Sequence, residues 1–190
     1  GVQTCALPIW LALQSQARWT EAVDAHREAT ALDRRNALAW NGLGNALRQL
    51  GQVGEAVAAY RSGLAAVEGH PLMLSNLASA LREAGQLDEA LATARRAIER
   101  DSRLPSAWNN LGTVLMALGD ASGAAAAFER ALRLDPDHAE ARNNFASLLF
   151  REDRIDEAER QFREAIEHRP ANAAAYNGLG VLLLAKGRGR

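Results

Sequence analysis

Apolar and polar positions follow one another along most of this chain with the spacing of a helix, and the helical stretches recur at a fixed interval. Trp40 and Trp108 lie 68 residues apart, twice 34, and the segment between them matches itself when displaced by 34 residues. In this register full periods run over 37–70, 71–104, 105–138 and 139–172, with half a period over 173–190. Counting back, a degenerate first period occupies 10–36. The fourth column of each period is large: Trp40, Leu74, Trp108, Arg142, Tyr176. The seventh holds Leu43, Leu77, Leu111, Phe145 and Leu179, and the eleventh Leu47, Leu81, Leu115, Leu149 and Leu183. The eighth is small every time, at Gly44, Ala78, Gly112, Ala146 and Gly180. Such spacing predicts one face of a first helix, with the small residue where a side chain would hold a partner helix away.

A turn is expected near Gly51, Gly85, Gly119 and Gly187, with Asp153 in that slot of the fourth full period, because glycine adopts positive φ without penalty. Three residues later Thr20, Gly54, Asp88, Ser122 and Asp156 are residue types favoured as N-caps of a second helix. That helix carries small residues at Ala22, Ala56, Ala90, Ala124 and Ala158 and again at Ala29, Gly63, Ala97, Ala131 and Ala165. Between them lies a variable position: His26, Tyr60, Ala94, Phe128, Phe162. Asp135-Pro136 and Arg169-Pro170 close hairpins, since proline disfavours helix in the residue before it. The expected fold is all-α, a row of antiparallel helix hairpins, each too small to stand without its neighbours.

Composition agrees with helix and removes several functions. Hydrophobic residues make up 48% of the chain, with Ala and Leu dominant, and both enter helices at little cost. The net charge of −1 and the alternating signs leave no basic footprint for nucleic acid. Even the longest apolar runs, such as Val181 to Ala185, are too short to enter a bilayer as a span. His26, His70, His138 and His168 have no metal-ligand spacing. Gly42-Leu43-Gly44 and Gly178-Leu179-Gly180 fall inside a helix, follow no strand and lack the third glycine of a dinucleotide loop. Asp88-Glu89 and Asp156-Glu157 read as helix starts meeting the dipole. With no nucleophile beside a base, the sequence reads as a non-enzyme that needs no cofactor or metal. Arg supplies 21 of the 22 basic residues, the coding bias of a GC-rich bacterial genome.

The pattern Trp-x-x-Leu-Gly-x-x-Leu, then Ala-x-x-x-Tyr/Phe, then Pro resembles the tetratricopeptide repeat, or TPR, over essentially the whole chain beyond its first residues. The resemblance implies a right-handed solenoid of hairpins and a role in binding a protein or peptide. It also implies that the first helices line a concave groove through columns 2, 5, 6, 9, 12 and 13. Column 5 then presents Asn41, Ser75, Asn109, Asn143 and Asn177, and column 6 Gly42, Asn76, Asn110, Asn144 and Gly178. Column 9 adds Asn45, Ser79, Thr113, Ser147 and Val181, and column 12 Arg48, Arg82, Met116, Phe150 and Leu184.

Asparagine is a poor residue for a helix interior, so its recurrence at mid-helix asks for a reason. An amide that both donates and accepts can pair with an extended peptide backbone; alternatively these amides bridge neighbouring hairpins or face water. The column of Asn76, Asn110 and Asn144 is similar to the asparagine ladder of O-linked N-acetylglucosamine transferases, which implies a second role as the substrate-recruiting arm of a larger enzyme. It breaks at Gly42 and Gly178. Asn41, Ser106 and Asn110 stand where the chaperone-type carboxylate clamp has basic residues, which disfavours a ligand's C-terminal carboxylate.

Gly1 to Ile9, which includes the lone Cys5, resembles the in-frame translation of a sequencing adapter and is set aside from fold reasoning. Leu179, Leu182, Leu183 and Leu184 have no second helix to cover them, and Lys186-Gly187-Arg188 matches the turn that introduces one. The native chain is therefore expected to continue beyond Arg190. A cytoplasmic location is favoured.

Overall fold

The structure, a computed structural model, describes residues 18–188. The adapter-like segment and the first part of the 10–36 period lie outside the described residues. Among these residues ten helices and no strands occur. They are α1 (Trp19–Leu32), α2 (Ala37–Gln49), α3 (Val53–Ala66), α4 (Pro71–Glu83), α5 (Leu87–Arg100), α6 (Pro105–Leu118), α7 (Ala121–Leu134), α8 (Ala139–Arg151), α9 (Ile155–His168) and α10 (Ala173–Arg188). The described residues divide into two compact units, one up to Ser102 and one from Arg103. In the first, α1 packs on the hairpin α2–α3, which packs on α4–α5; in the second, α6–α7 packs on α8–α9, which packs on α10.

First helices begin at Ala37, Pro71, Pro105, Ala139 and Ala173, in step with the sequence period. Side chains just ahead of them satisfy backbone N–H groups that a helix start leaves without partners. Asn36 accepts from Ala39 N at 3.0 Å, His70 from Met73 N at 3.3 Å, His138 from Ala141 N at 3.2 Å, and Asn172 from Ala175 N at 3.2 Å. Two of the four histidines are thus helix caps.

The turn inside each full hairpin is left-handed, with φ of 74° at Gly51, 76° at Gly85, 85° at Gly119 and 59° at Asp153. The next N–H reaches back to the first helix, as from Gln52 to Leu47 O and from Arg154 to Leu149 O, both 2.9 Å. Because that reversal is so tight, the second helix starts earlier than the residue types indicate. The N-caps are Arg18, Gln52, Gln86, Asp120 and Arg154, two residues before Thr20, Gly54, Asp88, Ser122 and Asp156. Of these caps, Asp120 accepts a side-chain bond, from Gly123 N at 2.9 Å. Asp88 and Asp156 remain in the first turn, where their charge still meets the helix dipole. The turn expected at Gly187 is not formed, and α10 runs on through it.

Packing within a hairpin follows from the small eighth column. A Cβ added to Gly44 would stand 2.3 Å from the Tyr60 ring, and one added to Gly112 would stand 2.6 Å from the Phe128 ring. Both rings are fully buried. Where the eighth column is Ala78, the variable position of the same hairpin is Ala94. Arg142 fills the column that holds Trp40, Leu74, Trp108 and Tyr176 in the other periods, and is 9% exposed. Its guanidinium donates to Gln161 Oε1 at 3.2 Å, to Pro136 O at 2.6 Å and to the Glu164 carboxylate, so a polar knot replaces an aromatic plug. Leu182 of α10 is buried in a cluster with Ala146, Leu149 and Phe162, against which Leu179 packs. Tyr176, Val181, Leu183 and Leu184 are exposed. No described helix is long and apolar enough to cross a membrane.

Candidate functional site

The asparagine columns lie on the first helices, and the structure brings successive ones into contact. In the first unit Asn76 Nδ2 of α4 donates to Asn41 Oδ1 of α2 at 2.8 Å. In the second, Asn144 Nδ2 of α8 donates to Asn109 Oδ1 of α6 at 2.9 Å. Each bond joins column 5 of one hairpin to column 6 of the next, so these four amides do bridge neighbouring hairpins, the alternative role that the sequence left open for them. An amide has two N–H donors and two acceptor lone pairs, so one rung leaves hydrogen-bonding capacity on both partners. The bond also fixes which way each amide faces.

The other candidate residues divide by environment. Asn45 Oδ1 accepts from the Tyr60 hydroxyl at 2.7 Å, and burial pushes that phenol up to about 12. Ser79 is buried and accepts from Arg48 at 3.1 Å. Thr113 and Ser147 donate to the carbonyls of Asn110 and Asn143, each at 2.9 Å, so their hydroxyl protons are committed to their own helices. Asn109 is 1% exposed and Asn110 is also buried, whereas Asn177 is exposed. Asn41, Asn76, Asn143 and Asn144 are half-buried.

The breaks at Gly42 and Gly178 have a steric cause. A Cβ at Gly42 would stand 2.1 Å from the His26 ring, and one at Gly178 would stand 2.3 Å from the Phe162 ring. These rings lean forward onto column 6 of the next hairpin, whereas Tyr60 and Phe128 lean back onto column 8 of their own. Where the ring leans back, the following column 6 is Asn76 or Asn144; where it leans forward, that position is glycine. The candidate face feels the difference. Asn143 has Gly178 where a donor amide would stand, and its Oδ1 is buried without a hydrogen-bond partner. Asn143 borders a notch of about 240 Å³ beside Glu140, Arg169 and Asn172.

Charge is unevenly spread along this face. Arg48 of α2 donates to Glu83 of α4 through both Nε, at 3.2 Å, and its second nitrogen. Column 12 of the second unit has Met116 and Phe150 instead. Among the described residues no three His, Cys, Asp or Glu side chains converge as a metal site. Sequence reasoning missed the Arg48–Glu83 bridge and the Arg142 knot. The visible trace of the amide rungs is their 35-residue spacing, one period plus one column.

Residues 86–189, more than half the chain, match the family model of the Cytochrome c-type biogenesis protein H TPR domain, and residues 11–71 match a Tetratricopeptide repeat model. The chain belongs to the tetratricopeptide-repeat family. No curated protein sequence matches this TPR chain. Solved TPR structures do share its fold. TTC0263, a thermophilic TPR protein of Thermus thermophilus, superposes with a TM-score of 0.86 at 23% identity, over 96% of this chain and 100% of that one. The protein pilF of Pseudomonas aeruginosa gives 0.76 at 20% identity, over 98% and 90%. YrrB, described as a TPR protein with an unusual peptide-binding site, gives 0.60 at 23% identity, over 90% and 89%.

Proposed function

We propose that this TPR chain is a protein-interaction module whose first-helix faces hold an extended peptide by its backbone. The observation that carries this reading is the pair of amide rungs, Asn76 on Asn41 and Asn144 on Asn109, which orient the asparagines while leaving donors and acceptors unused. Preorganised amides cost less to order on binding. Each contact to a ligand backbone contributes only about 0.5–1.5 kcal/mol, so several must act together. Asn143, half-buried where Gly178 supplies no donor amide, is the rung left open to a ligand. Asn41, Asn45, Thr113, Ser147 and Asn177 complete the proposed surface, to which Ser79 and Asn110, both buried, add little.

The test replaces Asn76, Asn110 and Asn144 together by Ala and measures binding of a displayed peptide library, with helix content followed by circular dichroism. Loss of binding by a folded variant is expected; unchanged binding would defeat the ladder. The match of 86–189 to the cytochrome c-type biogenesis family supports a second reading, in which the bound partner is a protein of that process. Capture of an unfolded c-type cytochrome polypeptide, but not of an unrelated unfolded chain, would favour it; equal capture of both would remove it.

A further inference from the structure

The first helices of the first unit carry few charges, and those few do not cancel. Arg48 is the sole charged residue of α2, and Arg82 and Glu83 are the sole charged residues of α4. Two guanidinium groups therefore share one carboxylate. Glu83 is already engaged by Arg48 through two nitrogens, and the nearest nitrogen of Arg82 lies 3.6 Å from it, beyond good hydrogen-bond distance. Arg82 Nε is buried and has no hydrogen-bond partner, although a third of the side chain is exposed. A buried guanidinium donor with no acceptor is a costly arrangement unless something supplies one. Tyr60, the other titratable group beside Arg48, is neutral at ordinary pH because burial pushes it up to about 12.

We propose that the face formed by α2 and α4 selects ligands with an acidic side chain, a Glu or Asp carboxylate taken by Arg82 alongside Arg48. A planar guanidinium that keeps a third of its side chain exposed, and is only loosely paired with Glu83, can meet a ligand carboxylate. This assignment rests on the peptide-binding reading above and adds the chemistry of one ligand residue. It differs from capture of a chain terminus, since column 12 provides the cations. Glu83 acts in this scheme as an internal competitor, holding Arg48 when no ligand is present.

The experiment selects C-terminally amidated random dodecapeptides on the whole chain, then measures affinities of the selected peptides for the wild type, Arg82→Gln and Glu83→Gln. Amidation removes the terminal carboxylate from consideration. Enrichment of Asp or Glu is expected, with binding about five- to tenfold weaker in Arg82→Gln and severalfold tighter in Glu83→Gln, and weaker in rising salt. The opposite directions exclude simple damage to the fold. Selected peptides without acidic enrichment, or bound equally by all three proteins, overturn the acidic preference and leave the groove intact. Failure to select any peptide overturns the groove reading and this inference with it.

Discussion

Adding one methyl group to three glycines of the same column should have opposite effects on stability. Gly44, Gly112 and Gly180 all occupy column 8 of a first helix. A Cβ at Gly44 would lie 2.3, 2.4 and 2.7 Å from three atoms of the Tyr60 ring, and a Cβ at Gly112 would lie 2.6, 2.7 and 2.9 Å from the Phe128 ring. Neither ring can yield easily, because both are fully buried and the Tyr60 hydroxyl is held by Asn45. Overpacking of this kind costs about 1–3 kcal/mol. Replacing glycine by alanine inside a helix returns about 1 kcal/mol through backbone entropy. The net for Gly44→Ala and Gly112→Ala is therefore a loss of up to about 2 kcal/mol. Gly180 has open space around its Cβ position, so Gly180→Ala should keep the propensity gain and raise stability by about 0.5–1 kcal/mol. Urea titration followed by circular dichroism gives the midpoint for each variant. Repeat arrays need not unfold in one step, so Trp fluorescence, to which Trp10, Trp19, Trp40 and Trp108 all contribute, should be read alongside. If Gly44→Ala and Gly112→Ala melt at or above the wild type, or Gly180→Ala falls with them, the ring-on-glycine packing is wrong.

Other consequences are independent of that one. Arg142→Ala should cost about 1–3 kcal/mol, because it strands the Pro136 carbonyl beside a buried gap while Glu164, over a third exposed, can turn to water; a denaturation midpoint within about 0.5 kcal/mol of wild type would contradict the knot. Asp153→Gly should stabilise by about 0.5 kcal/mol, since the residue holds a left-handed φ of 59° that the other three full hairpins give to glycine; a lower thermal midpoint would contradict this. His26 is held down at about 4 by burial, so the unfolded chain takes up a proton before the folded one does. Its contribution is complete above the ordinary value of 6.5 and is lost as pH falls toward 4, by about 2 kcal/mol between pH 6.5 and 5. Comparing urea midpoints of wild type and His26→Phe at pH 7 and pH 5 isolates that slope, and identical pH dependence in the two proteins would refute it.

The columns that make the hairpins are legible in the sequence because each depends on local chemistry. Small residues at Gly44 and Ala90, leucines at Leu47 and Leu81, and a positive-φ slot at Gly51 and Asp153 are all set within one hairpin. Contacts between hairpins are not legible in the same way. Asn41 and Asn76 are adjacent only because stacking advances the register by one column. The glycines at 42 and 178 become intelligible only when His26 and Phe162 are seen leaning forward. Residue types place the N-caps two residues late because Asp88 and Asp156 suit both a cap and a first helical turn, and the tight reversal at Gly85 and Asp153 decides between them. Arg142 shows in sequence only that column 4 tolerates a long side chain, since its partners Pro136 and Glu164 lie in other elements.

The central claim is that an extended peptide lies along the first helices and bonds to their asparagines. Side-chain amide resonances of asparagine, recorded by nitrogen-15 correlation spectroscopy while a selected peptide is titrated in, observe those groups directly. Saturable shifts are expected for the amides of Asn41, Asn76, Asn143 and Asn144, with resonances of α3 and α7 unmoved. Shifts confined to the second helices, with the asparagine amides unchanged at saturation, would contradict it.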